Sequence, residues 1–462
     1  MGPEKSSISH VEDGISPVHN FDQPDSATKG PVLITDSNGL PLIPQPSSHK
    51  DDPLNWPAGM KLWITLQVSW LALLSTMGAA APNPAFVLMG EHFTMHVPEI
   101  SHELTVFLVF AGVGPLLTSP FAKTYGRRPI YLLGAVLAGV TNIAAGYCDN
   151  WAGIMITRVF NGFGAGATIA LGAATICDMY FTHQRGLHMG IYTFAITNGA
   201  HVAPILGGYV AHYLDWRACF YIPGYIQTGT AIVLLFCLPE TLYTARTSGA
   251  AHREQSYLEN LMLRHNHVPG HWPAIHDFLR PFKMLRFVVI ILTSCMYMAC
   301  FGYGSVLFAF TGAKLFSSIY GFTTTEIGLM LSVPLLIGCL IGELGAGWVV
   351  DWASNRYAKR HNGERLPEAR LDVLWGTLLV PIGIIIEGCC LAHPNVHWVG
   401  SAFGMGLASL GLQIGTTVVY SYLTDCYRAQ SAEVSTILNV FRQIFSCFIS
   451  FYALVLPFHP QP

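Results

Sequence analysis

The chain has 462 residues, 52% of them hydrophobic and 11% charged, with a formal net charge of −3 and a mean hydropathy of +0.43. An ordinary soluble domain carries roughly 25% charged residues, so a chain this long and this poor in charge cannot clothe a water-facing surface. It reads as a polytopic α-helical membrane protein, and it carries no basic stripe of the kind that holds nucleic acid.

Residues 1–55 are polar, rich in Ser, Pro, Asp and Gly, and lack the apolar core of a secretory signal. They read as a disordered cytoplasmic tail. A membrane span needs roughly 20 mainly apolar residues. Stretches meeting that need lie at 61–89, 104–122, 130–147, 154–177, 188–211 and 220–238, then at 287–310, 327–350, 373–391, 399–423 and 434–456, about eleven in all. The expected organisation is therefore a tail (1–55), a six-helix bundle (56–240), a central cytoplasmic loop (241–286), a second bundle of about five helices (287–457) and a short tail (458–462).

Loop charges orient the spans, because Lys and Arg collect on the cytoplasmic side. The even-numbered gaps hold Lys123, Arg127 and Arg128, then Arg185, then the six basic residues from Arg246 to Arg286, then Arg356, Lys359, Arg360, Arg365 and Arg370. The odd-numbered gaps hold Glu91, Glu99 and Glu103, then Asp149, then Asp215 with Arg217, then Lys314. This alternation places the N-terminus in the cytoplasm. Most of the 11 cysteines lie in apolar runs without a CxxC pair and read as small core residues. Cys148 and Cys219, both near outer helix ends, are the pair placed for a disulfide.

Six segments carry a resemblance. Ser119-Pro-Phe-Ala-Lys123-Thr-Tyr-Gly126-Arg127-Arg128 between spans two and three is echoed by Gly347-Trp-Val-Val-Asp351-Trp-Ala-Ser-Asn-Arg356 after span eight. Span four holds Arg158-Val-Phe-Asn161-Gly162-Phe-Gly164-Ala-Gly166, and span five holds Gly199-Ala-His201-Val-Ala203-Pro204-Ile-Leu-Gly207-Gly208. Pro239-Glu240-Thr241 ends span six, and Asp52-Pro53-Leu54-Asn55-Trp56-Pro57 precedes span one. Together they resemble the major facilitator superfamily over about residues 50–457, most closely its fungal drug:proton antiporter-like members.

The resemblance implies the major facilitator fold, two six-helix-type bundles, with the last of its twelve helices apparently missing here. A chain ending after an eleventh span would leave its C-terminus outside, as a truncated product or one whose last helix is dispensable. It implies that the Gly126-Arg127-Arg128 and Gly347/Asp351/Arg356 segments form a gating latch. Lys123 stands where the family carries an acid, so the acid half of that latch is absent from its usual place. Arg158 is implied in proton coupling, and Gly199, Ala203, Pro204, Gly207 and Gly208 match the antiporter signature, with Ala203 replacing one Gly.

Polar residues inside spans are the default site candidates. Gln67, Asn161, Tyr303 and Gln413 stand in spans that line the cavity in that family. His201, Glu343 and Glu387 are titratable, and Arg442 in span eleven requires an acid or a substrate anion as partner. Glu343 stands within reach of the arginines after span eight, and Asp178 near Arg185. Neither HExxH, GxSxG nor a phosphate loop occurs, so an enzyme is not expected, nor is a metal or cofactor. The expectation is a monomeric, proton-coupled carrier of a small molecule in the plasma membrane, exporting a drug or secondary metabolite. The alternatives are a proton symporter importing a metabolite or organic cation, and a truncated non-transporting product.

Overall fold

Ahead of the first helix, the Asp52-Pro-Leu-Asn-Trp-Pro segment folds onto itself. Asp52 is fully buried and accepts from the Leu54 amide at 3.0 Å and the Ser47 amide at 2.9 Å. Lys61 donates back to the Leu54 carbonyl at 2.8 Å, which anchors the segment to the helix that follows. The computed structural model describes residues 42, 44–243, 273–360, 367–393, 396–427 and 430–455. Contacts divide the chain between Gln45 and Pro46, and the second unit, from Pro46 onward, holds every helix described below.

The helices are α1 (Ala58–Ala80), α2 (Phe86–Phe93), α3 (Val97–Tyr125), α4 (Arg127–Gly146), α5 (Trp151–Met179), α6 (Thr182–Tyr213) and α7 (Ala218–Cys237). After residues 244–272 come α8 (Ile275–Lys283), α9 (Val288–Phe301), α10 (Leu307–Tyr320), α11 (Thr324–Arg360), α12 (Leu379–Ala392), α13 (Val399–Cys426) and α14 (Ser431–Val455). A π-helical stretch, Gly302–Val306, joins α9 to α10, and a 3₁₀ stretch, Pro367–Leu378, leads into α12. Among the described residues ten helical stretches are long and apolar enough to cross a membrane. Large apolar side chains such as Trp63, Leu133, Phe236, Leu344, Ile385 and Phe403 are exposed along them, as a hydrocarbon surround requires.

The fifth expected span (188–211) is present as α6, a helix of 32 residues, but it falls outside those ten. It packs between α1 and α11, so much of its surface meets protein rather than lipid. Thr193, Thr197, Asn198 and His201 are buried there and lower its hydropathy.

The two halves repeat one packing scheme. In the first, α3 and α4 flank α5 and α6 packs on α1; in the second, α11 and α12 flank α13 and α14 packs on α9. Matched glycine pairs mark the repeat. A Cβ on Gly164 would stand 2.7 Å from the Gly134 carbonyl, and a Cβ on Gly404 would stand 2.6 Å from the Gly383 carbonyl. Only hydrogen at these positions lets the backbones of α4 and α5, and of α12 and α13, come this close. Across the halves, α6 meets α11 and α3 meets α14, the two contacts that a two-fold exchange of halves interconverts.

Candidate functional site

The largest fully buried side chain is the charged Arg158 on α5, with no exposed surface. Its Nε donates to the carboxylate of Glu103 on α3, which is equally buried. Nη1 donates to Asn142 Oδ1 at 3.1 Å, to Asn161 Oδ1 at 3.2 Å and to the Gly78 carbonyl at 3.2 Å. The guanidinium stacks over the Phe220 ring at 4.7 Å. Side chains or carbonyls from five helices thus converge on one cation. The glycines that follow explain how: a Cβ on Gly162 or Gly166 would overlap the Phe107 or Ala111 carbonyl of α3. Glu103, read above as an outer-loop acid, lies inside α3, which begins at Val97, and is the carboxylate partner of Arg158. Asn161 is brought into the same node and donates to the Ala138 carbonyl at 2.7 Å.

Between the halves lies a cavity of about 70 Å³, lined by Phe107, His201, Pro204, Ser305, Arg442 and Gln443 among others. His201 crosses from α6 into the second half, with Nε2 3.0 Å from Ser305 Oγ and Nδ1 3.5 Å from Cys339 Sγ. Proton directions follow from the chain of partners. Ser409 Oγ donates to the Leu335 carbonyl at 2.8 Å and so accepts from the Cys339 thiol at 3.1 Å. The sulfur then accepts from His201 Nδ1–H, and His201 Nε2 accepts the Ser305 hydroxyl proton. Arg442 on α14 donates to Asn439 Oδ1 at 2.8 Å and stacks over Phe301 at 4.5 Å. Asn439 donates in turn to the Ala111 carbonyl of α3 at 3.1 Å, a second bridge between halves.

Contacts between the halves lie toward both ends of the cavity. At the end away from the arginine-rich turns, the 3₁₀ turn Asn83–Ala85 packs against α6, α10 and α11. At the basic end Lys123 on α3 pairs with Glu433 in the first turn of α14, and the Cys177 thiol lies beside the Ser431 hydroxyl. The acid lacking at position 123 is therefore supplied by the opposite half, with the signs of the pair exchanged.

Gly126 has a φ of +100°, and a Cβ there would overlap the Glu240 carboxylate. That carboxylate accepts from the Arg127 and Arg128 amides at 2.9 and 3.1 Å and caps the start of α4. Arg127 pairs with Asp178 at 2.7 Å and Arg128 donates to the Leu235 carbonyl at 2.5 Å. These contacts stay within the first half. Asp178 thus belongs to Arg127 rather than to Arg185, whose guanidinium bonds the carbonyls of Tyr180 and Cys177 at 2.9 and 2.7 Å. In the second half Gly347 and Asp351 lie in α11 with side chains outside the described residues, and Arg356 is exposed over the Trp352 ring at 4.9 Å.

On α6, Gly199 and Gly207 abut the Leu73 and Ala81 carbonyls of α1, while Gly208 meets Thr324 and Gly328 of α11. Gly328 in turn lies against the Pro204 carbonyl, and Ala203 is fully buried. The small residues therefore serve two neighbours from two faces of one helix.

The remaining candidates lie apart from the cavity lining. Glu343 accepts from Gln413 Nε2 at 2.6 Å and Thr417 Oγ1 at 2.8 Å, both on α13. That replaces the expected pairing with the arginines after span eight. A Cβ on Gly190 of α6 would come within 2.8 Å of the same carboxylate, so Glu343 stands at the α6–α11 seam. Gln67 is buried on α1 with neither amide atom hydrogen-bonded. Tyr303 packs its ring on Phe445 at 5.7 Å. Glu387 is buried on α12 beside the Gly404 backbone. Cys148 and Cys219 are free thiols rather than a disulfide, because Cys219 turns inward and donates to the Gly207 carbonyl.

Residues 68–450 match the family model described as Major Facilitator Superfamily. Among curated proteins, the chain is 27% identical to the MFS-type transporter penM of Penicillium rubens over 90% of this chain and 84% of that one. It is 28% identical to the MFS transporter cpaT of Aspergillus oryzae, covering 86% and 81%. It is 27% identical to the efflux pump vrtL of Penicillium aethiopicum, covering 94% and 85%. Among solved structures, a bacterial homolog of the human lysosomal transporter Spinster, inward-facing and unoccupied, superposes with a TM-score of 0.60 at 14% identity, covering 86% of this chain and 83% of that one.

Proposed function

From its membership of the major facilitator superfamily, we propose that this multi-pass membrane protein is a proton-coupled secondary transporter that exports a small organic molecule by alternating access. The observation that carries the reading is a small cavity between the two halves, with contacts between the halves toward each of its ends. At about 70 Å³ it is far below the roughly 300 Å³ of a typical organic-ligand site, so the halves must part for a ligand to fit. The polar contacts that would part are Lys123–Glu433 at the basic end, and Asn439–Ala111 and His201–Ser305 nearer the middle. Rocking of one bundle against the other exchanges them while the packing inside each bundle stays intact. Export is favoured by the efflux-pump names among the relatives and by the α6 signature. The basic end would be cytoplasmic, in the plasma membrane, and the protein acts as a carrier without covalent chemistry.

The proton is assigned to His201. Its Nε2 accepts from Ser305 when neutral; a proton there would turn Ser305 from donor to acceptor and alter a direct bond between α6 and the π-helical stretch. A second reading, symport, has its own support. The cavity lining includes Arg442 and His201 but no carboxylate, so a proton on His201 would attract an anionic substrate rather than compete with it.

Proteoliposomes holding the purified chain separate these readings. A panel of labelled organic compounds is presented under imposed pH gradients of either sign. Accumulation in acid-filled vesicles, abolished by a protonophore, means exchange. Accumulation in alkaline-filled vesicles means symport. If neither gradient moves any compound, the transport reading falls.

A further inference from the structure

A positive charge at the centre of the bundle, that of Arg442, meets no carboxylate among the described residues. Arg442 is 3% exposed and lines the cavity. Its partners are neutral: Asn439 Oδ1 through Nη2, and the Phe301 ring beneath the guanidinium plane. Its Nε has no hydrogen-bond partner. Among the described residues, no carboxylate lies within ion-pair distance of it, although several carboxylates are buried elsewhere in the bundle. Glu103 is held by Arg158, Glu433 by Lys123, and Glu343 by Gln413 and Thr417. Glu387 lies on α12, which contributes nothing to the cavity wall.

A desolvated guanidinium without a counter-ion is costly in any apolar surround. The contrast with Arg158 is informative: that arginine, too, leaves one buried nitrogen unpartnered, but its charge is met by a dedicated carboxylate and three further acceptors. Arg442 is left one charge short, at the cavity wall, with a planar fork that matches a carboxylate or phosphate.

We infer that the transported substrate is an organic anion, an acid group attached to an apolar body, and that Arg442 is its charge-binding residue. The rest of the lining fits the second half of that description. Phe107, Leu104, Phe301 and Leu331 offer apolar wall, and Gln443, with an unpartnered Oε1, and Ser305 offer neutral polar groups. Arg442 is also joined through Asn439 to the Ala111 carbonyl of α3, so an anion drawing on the guanidinium acts on a bond that holds the two halves together. The inference rests on the transport reading for its physiological meaning, but its binding test stands independently.

The test measures equilibrium binding to the purified full chain in lipid nanodiscs at pH 7, by microscale thermophoresis. Three probes share one ring system: 1-naphthaleneacetate, its neutral amide, and 1-naphthylmethylammonium. A charge-assisted contact of this kind sets the carboxylate ahead of the amide by about tenfold or more, with the ammonium weakest. Arg442→Gln should abolish the carboxylate's advantage, and Arg442→Lys should keep part of it; the wild-type series decides alone should a variant fail to fold. Equal binding of the three probes, no binding of the carboxylate, or an unchanged preference in folded Arg442→Gln would overturn the inference. Transport by wild-type vesicles of neutral or cationic compounds but of no organic anion would sink it while leaving the transport reading standing. Carboxylate binding without movement of any compound would do the reverse.

Discussion

The exchanged latch at the basic end can be tested by exchanging it back. Lys123 is about one-third exposed and Glu433 is nearly buried at the first turn of α14. A pair of this exposure contributes roughly 1 kcal/mol, so Lys123→Ala should shift the closed-to-open ratio of that end about fivefold. Lys123→Glu adds repulsion of similar size, about 2 kcal/mol together and close to thirtyfold. The double variant Lys123→Glu with Glu433→Lys restores the attraction. It also puts a cation at a helix N-terminus, which costs about 0.5 kcal/mol, so recovery should come within roughly threefold of wild type. Cys177 reports opening, because its thiol lies beside Ser431 across the same seam and is buried. Its maleimide alkylation rate, read by peptide mass, should rise in the order wild type, double variant, Lys123→Ala, Lys123→Glu. A double variant as reactive as Lys123→Glu would refute the latch.

Three further outcomes follow from the geometry. Gly126→Ala places a Cβ into the Glu240 carboxylate at a φ of +100°; backbone strain and the lost cap should together cost roughly 2–4 kcal/mol, seen as a lower unfolding temperature in detergent. Glu103→Gln strands the Arg158 charge and should destabilise by about 3–5 kcal/mol, whereas Glu103→Gln with Arg158→Gln should recover most of that loss in the same melt. His201→Phe removes both bonds to the second half; pH-driven accumulation in proteoliposomes should disappear while downhill exchange of the same compound persists.

Much of the architecture was legible in the sequence because a bilayer imposes one rule on every span: apolar length with its backbone satisfied internally. The polar partners were harder to read. Hydropathy ended span two at Leu104 because Glu103 is charged, yet the helix starts earlier, at Val97, where Pro98 at N2 and Glu99 closing the capping box onto His96 mark its first turn. Those signals would have moved Glu103 inside and offered Arg158 its partner. Asp178 and Arg185 are close in sequence, but the turn after α5 sends Arg185 back to carbonyls and leaves Asp178 to Arg127. Glu433 lies 310 residues from Lys123, and no local pattern connects them; only the packing of α3 on α14 does. The antiporter-like segment revealed its small residues but not that His201 among them reaches across to Ser305 and Cys339.

The central claim is that the two halves exchange closure of one end for closure of the other, and distance measurements test it directly. One spin-label pair, carried on introduced non-natural residues, would sit at the basic end, at Thr124 and Gln430. A second would sit at the opposite end, at Glu91 on α2 and Ser318 on α10. Stepping the pH and adding a transported compound should lengthen one distance as the other shortens. Two distances that stay fixed, or that lengthen together, would contradict alternating access in this chain.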